Sequence, residues 1–309
     1  MRIAVLGAGG VGGYFGARLA AAGADVTFVA RGRHLEAIRR DGLLVRSSLG
    51  DVRTAPDRVV GGVDELGPTD LVLVAVKLWD TEEVAKQLAP LVARGTAVLS
   101  LQNGVQKDTV LRRHLPERDI VGGACFIAAH IEEPGVVAHT GTLQKMVFGP
   151  YHSERRPLAE ELLAACRAAG IEAEISDDIA RVIWQKFVFL VGLSATTAAV
   201  RRPIGVIRDD PRTRALLRDV MAETVAVARA SGVALDEGFV DDRLAFIDTL
   251  PAGMTASMHH DLESGNRLEL PWLSGGVADM AAELGIAAPR NQTIADVLAP
   301  HALGTTPRG

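Results

Sequence analysis

Short apolar runs alternate with amphipathic stretches over the first half of the chain, and the runs vanish from the second half. Residues 3–6, 25–30, 70–76 and 97–101 read as strands. The run Asp70-Leu71-Val72-Leu73-Val74-Ala75-Val76 is apolar without alternation, the pattern of a strand buried on both faces. Helical periodicity occupies 12–22, closed by Gly23, and 81–91. This rhythm predicts a parallel sheet with helices on both faces. Between 122 and 149 the pattern changes, and 136–140 and 145–149 are expected to form a hairpin around Gly141. A helix at 157–169 ends at Gly170, and 171–175 is a last strand. Beyond Asp177 and Asp178 only helical patterns remain, at 178–200, 210–231, 236–249, 257–264 and 270–284. The expected organisation is therefore an α/β domain over 1–176 and an all-α domain over 177–309. The last ten residues, with Gly304, Pro307 and Gly309, are expected to fray.

The length of 309 residues suits two domains, and 48% hydrophobic with 23% charged residues is ordinary for a globular chain. Net charge is −5, which leaves no electrostatic footprint for nucleic acid, and no polybasic membrane patch occurs. The two cysteines, Cys125 and Cys166, have no C-x-x-C spacing, and the eight histidines do not cluster at ligand spacing, so no metal site is expected. The first apolar run is too short for a signal-peptide core. The apolar stretch 182–200 carries Gln185 and Lys186 and reads as a buried core helix, not a membrane span. The expectation is a cytoplasmic enzyme or binding protein.

Candidate chemistry begins at Gly7-Ala8-Gly9-Gly10-Val11-Gly12, which fits G-x-G-x-x-G between a strand and a helix. Gly7 permits the tight turn, Gly9 lets backbone approach a pyrophosphate, and Gly12 allows close helix–strand packing. The helix N-terminus offers N–H groups and a positive dipole to phosphates. Glycines also simply make turns, but this context predicts a Rossmann-type dinucleotide-binding domain. At the end of the second strand, where an acid would bind the ribose 2′-hydroxyl of NAD, stands Arg31. A guanidinium pairs with a 2′-phosphate, which points to NADP(H). The bland alternative is a solvated arginine at a strand end.

The residue 7–12 loop, Arg31, Val76-Lys77, Gln102-Asn103-Gly104, Trp184-Gln185-Lys186 and the segment with Ser257, Asp261 and Glu269 together resemble the ketopantoate reductases (2-dehydropantoate 2-reductases). The resemblance runs to about Leu298. It implies an NADPH-binding Rossmann domain and a helical domain with the substrate between them. It further implies reduction of the 2-keto group of ketopantoate to pantoate, on the way to pantothenate and coenzyme A. The partner implied is a small-molecule 2-oxo acid, with a homodimer as one possible assembly.

The resemblance assigns Lys77 and Asn103 to cofactor and substrate carbonyl, and Ala129 to a backbone contact with the cofactor. Taken alone, Lys77 is equally a surface lysine and Asn103-Gly104 equally a turn. Lys186 has support of its own. Ile179, Val182, Ile183, Lys186, Leu190 and Leu193 share one helical face, so Lys186 is expected on an apolar stripe. There it either snorkels to water or lines a cleft as a proton donor. The resemblance gives Lys186 the catalytic role and has Glu269 orient the site. A capping role also explains Glu269, which precedes Leu270-Pro271-Trp272. Ser257 is expected to contact the substrate carboxylate, to cap the following helix, or both.

The sequence departs from the family where asparagines commonly bind substrate. Leu190 and Ser194 stand one and two turns beyond Lys186, Ile204 replaces the asparagine of a later Asn-Gly, and Ser274 stands five residues after the glutamate. Leu190 and Ser194 are thus the expected substrate-facing residues. Two further readings follow: a family member with a more apolar 2-oxo acid or ketone as substrate, and a catalytically silent NADP-binding regulator.

Overall fold

The structure, a computed structural model, describes residues 1–305. The first part runs β1 (Arg2–Leu6), α1 (Gly10–Ala21), β2 (Asp25–Val29), α2 (Gly32–Asp41), β3 (Leu44–Ser47), β4 (Val52–Arg53), β5 (Val59–Val60), β6 (Leu71–Val74), α3 (Thr81–Val92), β7 (Ala97–Ser100), α4 (Gln106–Arg112), β8 (Ile120–Glu133), β9 (Val136–Pro150), α5 (Arg156–Ala168) and β10 (Glu172–Ile175). Helices follow: α6 (Ile179–Val200), α7 (Ile204–Asp209), α8 (Pro211–Ala230), α9 (Phe239–Asp248), α10 (Ser257–Glu263), α11 (Ser274–Glu283) and α12 (Pro289–Leu298). The architecture is a Rossmann-like mixed-sheet domain followed by a helical domain.

The sheet has the order β4-β3-β9-β8-β7-β6-β1-β2-β5, with β10 paired to β9. Its centre, β7-β6-β1-β2, is parallel. Alternation along the strands splits the core in two. Val5, Phe28, Leu73 and Leu99 join Tyr14, Phe15 and Leu19 of α1 and Leu162 of α5. Leu6, Val72, Val74 and Val98 join Leu88 and Leu91 of α3 and Leu111 of α4. Each such side chain contributes about 1.5–3 kcal/mol on leaving water.

The expected hairpin around Gly141 is not formed. Residues 136–150 are one strand, β9, antiparallel to β8. Ile127 pairs with Gln144 and Ala129 with His139, so the extra residues around Gly141 (φ +78°) bulge out of the ladder. The reversal between the two strands lies instead at Pro134-Gly135, where Gly135 takes φ +83°. β8 itself, with Gly122, Gly123 and an exposed end, carries no strand periodicity; pairing with β9 makes it a strand.

Among the later helices, the carboxylate of Asp178 accepts from the Arg181 N–H at 3.1 Å and starts α6. Asp210 caps α8 through the N–H groups of Arg212 and Thr213 at 2.8 and 3.1 Å. The expected helix 270–284 is interrupted. Pro271 sits in a 3-10 turn, Leu270–Trp272, and Leu273 (φ −94°, ψ −109°) breaks the path before α11. The expected frayed tail is anchored through Thr305. The Leu268 N–H donates to Ala302 O and the Thr305 N–H to Gly265 O, each at 2.9 Å. Pro307 and Gly309 lie outside the described residues.

The chain divides into one compact unit, Met1–Ile183, and a second from Trp184 onward. The division falls inside α6 rather than after residue 176, because Ile179 and Ile183 pack with Ala124 and Val147 of the sheet. By length and composition α6 could cross a membrane, but 67% of its most apolar window is buried inside the protein, as in a core helix.

Candidate active site

Parallel neighbours end on one edge, so β7, β6, β1 and β2 deliver their C-terminal segments side by side. Open α/β sheets bind ligands along this edge. β1 leads into Gly7, Ala8, Gly9, Gly10, Val11 and Gly12; β2 into Arg31; β6 into Lys77; β7 into Asn103. The first-unit candidates therefore converge on one edge.

The glycines answer to different demands. Gly7 has φ +94°. A Cβ on Gly12 would lie 2.2 Å from the Gly7 carbonyl oxygen and 2.9 Å from Val5 Cγ1, so only glycine lets α1 approach β1. A Cβ on Gly10 would lie 2.2 Å from the Ala129 carbonyl oxygen, which places the backbone of Ala129 against the loop. At Gly9 the nearest heavy atom would be Ile131 Cδ1 at 3.9 Å, so packing within the chain does not require glycine there. The N-terminus of α1 has no side-chain cap and no acidic residue in its first turn. An open glycine beside uncapped N–H groups fits a pyrophosphate.

Two residues to which the motifs assign no role, Gln102 and His34, hold this edge together. Gln102, buried, donates through Nε2 to Thr81 Oγ1 at 2.8 Å and to the carbonyls of Val76 and Lys77 at 3.1 and 3.3 Å. Its Oε1 accepts from Ser100 Oγ at 3.0 Å. A polar residue directly after a buried strand was the available signal. His34 joins the glycine loop to the β8–β9 reversal. The Gly135 N–H donates to its Nδ1 at 3.0 Å, so Nε2 carries the proton and donates to Ala8 O at 2.8 Å. Nothing in the sequence marked this histidine.

Lys77 is half-buried, its Nζ 5.6 Å from the centre of the Trp79 ring. Arg31 is exposed but not merely solvated: its Nη2 lies 2.7 Å from Asp80 Oδ2. Asn103 is half-buried, followed by Gly104 at φ +91° and then α4, so it does occupy a turn. Below that turn lies a buried ionic cluster. Lys107 Nζ and Asp108 Oδ1 are 2.9 Å apart, both nearly inaccessible. The Tyr151 hydroxyl donates to Asp108 Oδ2 at 2.7 Å, and the Arg112 guanidinium lies 4.1 Å from the Tyr151 ring centre. Burial, then the Asp108 charge, pushes the Tyr151 phenol above its usual range and keeps it a donor.

The second unit holds Lys186, Leu190, Ser194, Ser257 and Glu269. Lys186 and Leu190 are half-buried. They share a face of α6 with buried Ile179, Ile183 and Leu193, and Phe187, Val188 and Val191 form a second buried stripe beside it. The helix is apolar nearly all round, so periodicity offered more than one stripe. Ser194 is fully buried, and its hydroxyl has no hydrogen-bond partner among the described residues. The nearby Thr196 and Thr197 instead return their hydroxyls to Gly192 and Leu193 carbonyls. Ser274 is likewise buried without a partner for its hydroxyl, and Ile204 is fully buried.

Neither capping expectation holds. Ser257 is exposed at the first position of α10, and Ala256 takes the cap position. Glu269 is buried and precedes the 3-10 turn with φ −78° and ψ 16°, outside the extended conformation of a cap, and makes no side-chain cap hydrogen bond. Its burial needs another reason.

The chain is similar to known proteins over nearly its whole length. Two family models, "Ketopantoate reductase PanE/ApbA" and "Ketopantoate reductase PanE/ApbA C terminal", match residues 3–153 and 178–302. The uncharacterized oxidoreductase YkpB of Bacillus subtilis is 30% identical over 95% of this chain and 96% of its own. A 2-dehydropantoate 2-reductase of Halobacterium salinarum is 32% identical over 96% of this chain and 98% of its own. The crystal structure of 2-dehydropantoate 2-reductase from Geobacter metallireducens is 35% identical, with a TM-score of 0.89 over 97% of this chain and 99% of that one.

Proposed function

The chain belongs to the ketopantoate reductase family, and from that premise we propose that it is an NADPH-dependent reductase of 2-oxo acids, with 2-dehydropantoate as its leading substrate and pantoate as product. That activity would serve pantothenate and coenzyme A synthesis. Membership makes it an oxidoreductase acting on CH–OH groups. The observation that carries the finer reading is the convergence of the open glycine loop, Arg31, Lys77 and Asn103 on one sheet edge.

The residues of the 7–12 loop and the N-terminus of α1 would hold the pyrophosphate, with Arg31 at the 2′-phosphate and Ala129 against the loop. When bound, the dinucleotide supplies the hydride that reduces the carbonyl carbon. Lys186 donates a proton to the carbonyl oxygen as negative charge develops there, the usual work of a positioned general acid. Glu269 orients lysine and substrate, and orientation of this kind supplies several kcal/mol, roughly, of barrier reduction. Lys77, Asn103 and Ser257 bind the substrate and cofactor.

Leu190 and Ile204 favour a second reading, in which a more apolar 2-oxo acid is preferred. A leucine cannot pair the hydroxyl of ketopantoate, and a site that leaves it unpaired selects for it weakly. Turnover measured with NADPH and NADH against a panel of 2-oxo acids tests both. NADPH-linked reduction of ketopantoate is expected. Better turnover of an analogue lacking the hydroxyl moves the assignment to the second reading, and no turnover of any 2-oxo acid refutes both.

A further inference from the structure

We propose that Asp80 sets how sharply this site discriminates between the two nicotinamide dinucleotides, acting against Arg31; the proposal rests on the dinucleotide reading above. β2 and β6 lie on either side of β1. The segments that leave them therefore flank the 7–12 loop from opposite sides. Arg31 comes from one and Asp80 from the other, and the two meet at 2.7 Å.

The aspartate's own helix does not use it. Asp80 holds the cap position of α3, where a carboxylate ordinarily accepts from the helix N–H groups. It makes no such bond, its backbone is helical (φ −94°, ψ −6°), and the Thr81 hydroxyl bonds back to Leu78 O instead. The carboxylate is committed to Arg31. The pair is also within a ligand's reach, with the Arg31 side chain 82% exposed and that of Asp80 24%. An exposed pair of this kind opens at small cost.

Charge then separates the ligands. A 2′-phosphate that engages Arg31 is brought close to the Asp80 carboxylate, and like charges at such separation repel appreciably even near water. A ribose 2′-hydroxyl has the opposite relation, since it can donate to that carboxylate. An acid at the end of the second strand does the same in NAD-binding sites. Here the acid arrives from the other flank of β1. Arg31 and Asp80 thus offer one ribose position two partners of opposite sign, and Asp80 holds the preference for NADPH below what Arg31 alone would confer.

Binding is the direct readout, using full-length protein with calorimetric titration of NADPH, NADH, 2′,5′-ADP and 5′-AMP. Asp80→Asn keeps a good capping residue and should tighten NADPH and 2′,5′-ADP by roughly three- to ten-fold, the scale of removing one nearby like charge. NADH and 5′-AMP should hold or weaken. Arg31→Ala, with Asp80 retained, should bind NADH better than NADPH, and adding Asp80→Asn to it should erase that difference. Asp80→Ser, with folding checked by circular dichroism, guards against a defect peculiar to the amide. An equal change for both nucleotide classes in the Asp80 variants overturns the proposal alone. A wild-type protein that binds neither dinucleotide overturns the site reading and the proposal with it.

Discussion

The side-chain amide of Gln102 holds Lys77 by its main chain, donating to the Lys77 carbonyl at 3.3 Å while also reaching Thr81 Oγ1 at 2.8 Å. One buried side chain thereby ties the segment after β7 to the segment after β6. Gln102→Ala strands those acceptors, and an unsatisfied buried group costs about 1–3 kcal/mol. The variant should unfold at lower temperature and bind NADPH more weakly. Calorimetry and fluorescence titration read the two effects, and wild-type values for both would show that the clamp is idle.

Lys186→Ala should lower kcat by roughly 10²–10⁴-fold, the range for losing a general acid. NADPH affinity should change little. Steady-state kinetics with the best 2-oxo acid checks this; near-normal kcat removes Lys186 from the chemistry.

Leu190 is half-buried on α6, one turn beyond Lys186. Leu190→Asn supplies a donor and acceptor for the substrate hydroxyl. It should raise kcat/KM for ketopantoate relative to 2-oxobutanoate by roughly ten-fold, the value of one buried hydrogen bond. An unchanged ratio means that Leu190 does not face the substrate.

Tyr151→Phe removes the donor to Asp108 Oδ2 inside the buried Lys107–Asp108 cluster. The loss should destabilise the fold by about 1.5–3 kcal/mol, as for a hydrogen bond to a charged group. Urea denaturation measures it, and a midpoint matching wild type would mean that water replaces the phenol.

Asp70 accepts from the backbone N–H and guanidinium of Arg2, and those hydrogen bonds hold its carboxyl down at about 2, from 3.8. A depressed carboxyl stabilises the fold above its unfolded value and loses that contribution as pH falls through its folded value. The window is therefore about pH 4 down to 2. Asp70 and Arg2 are 36% and 49% exposed, so solvent screening limits the contribution to about 1 kcal/mol or less. The difference in unfolding free energy between wild type and Asp70→Asn should be present at pH 6, fall from about pH 4 and be largely lost by about pH 2.

The parallel centre of the sheet was legible because its strands are buried on both faces and read as unbroken apolar runs. The glycine loop was legible because Gly7 and Gly12 answer local steric demands. β8 was not, since Gly122, Gly123 and its exposed end become a strand only against β9. Lys186 is half-buried on the face it shares with buried Ile179, Ile183 and Leu193, but a helix apolar on most sides has no single periodic face to single it out. Asp80, Gln102 and His34 act across gaps of 49, 25 and 101 residues, to Arg31, Lys77 and Gly135. No local pattern reports a partner at that distance.

Residues 302–305 are stitched to the turn that leads into Glu269. Gly265 and Leu268 are bonded to Thr305 and Ala302, and a Cβ on Gly304 would lie 2.5 Å from the Gly265 carbonyl oxygen. A chain cut back before Ala302 would free the backbone one residue ahead of that glutamate, and a bulky fusion close behind Thr305 would press on the same turn. For anyone building reagents from this protein, residues 302–305 are part of the mounting of the turn before Glu269, and purification handles belong away from them.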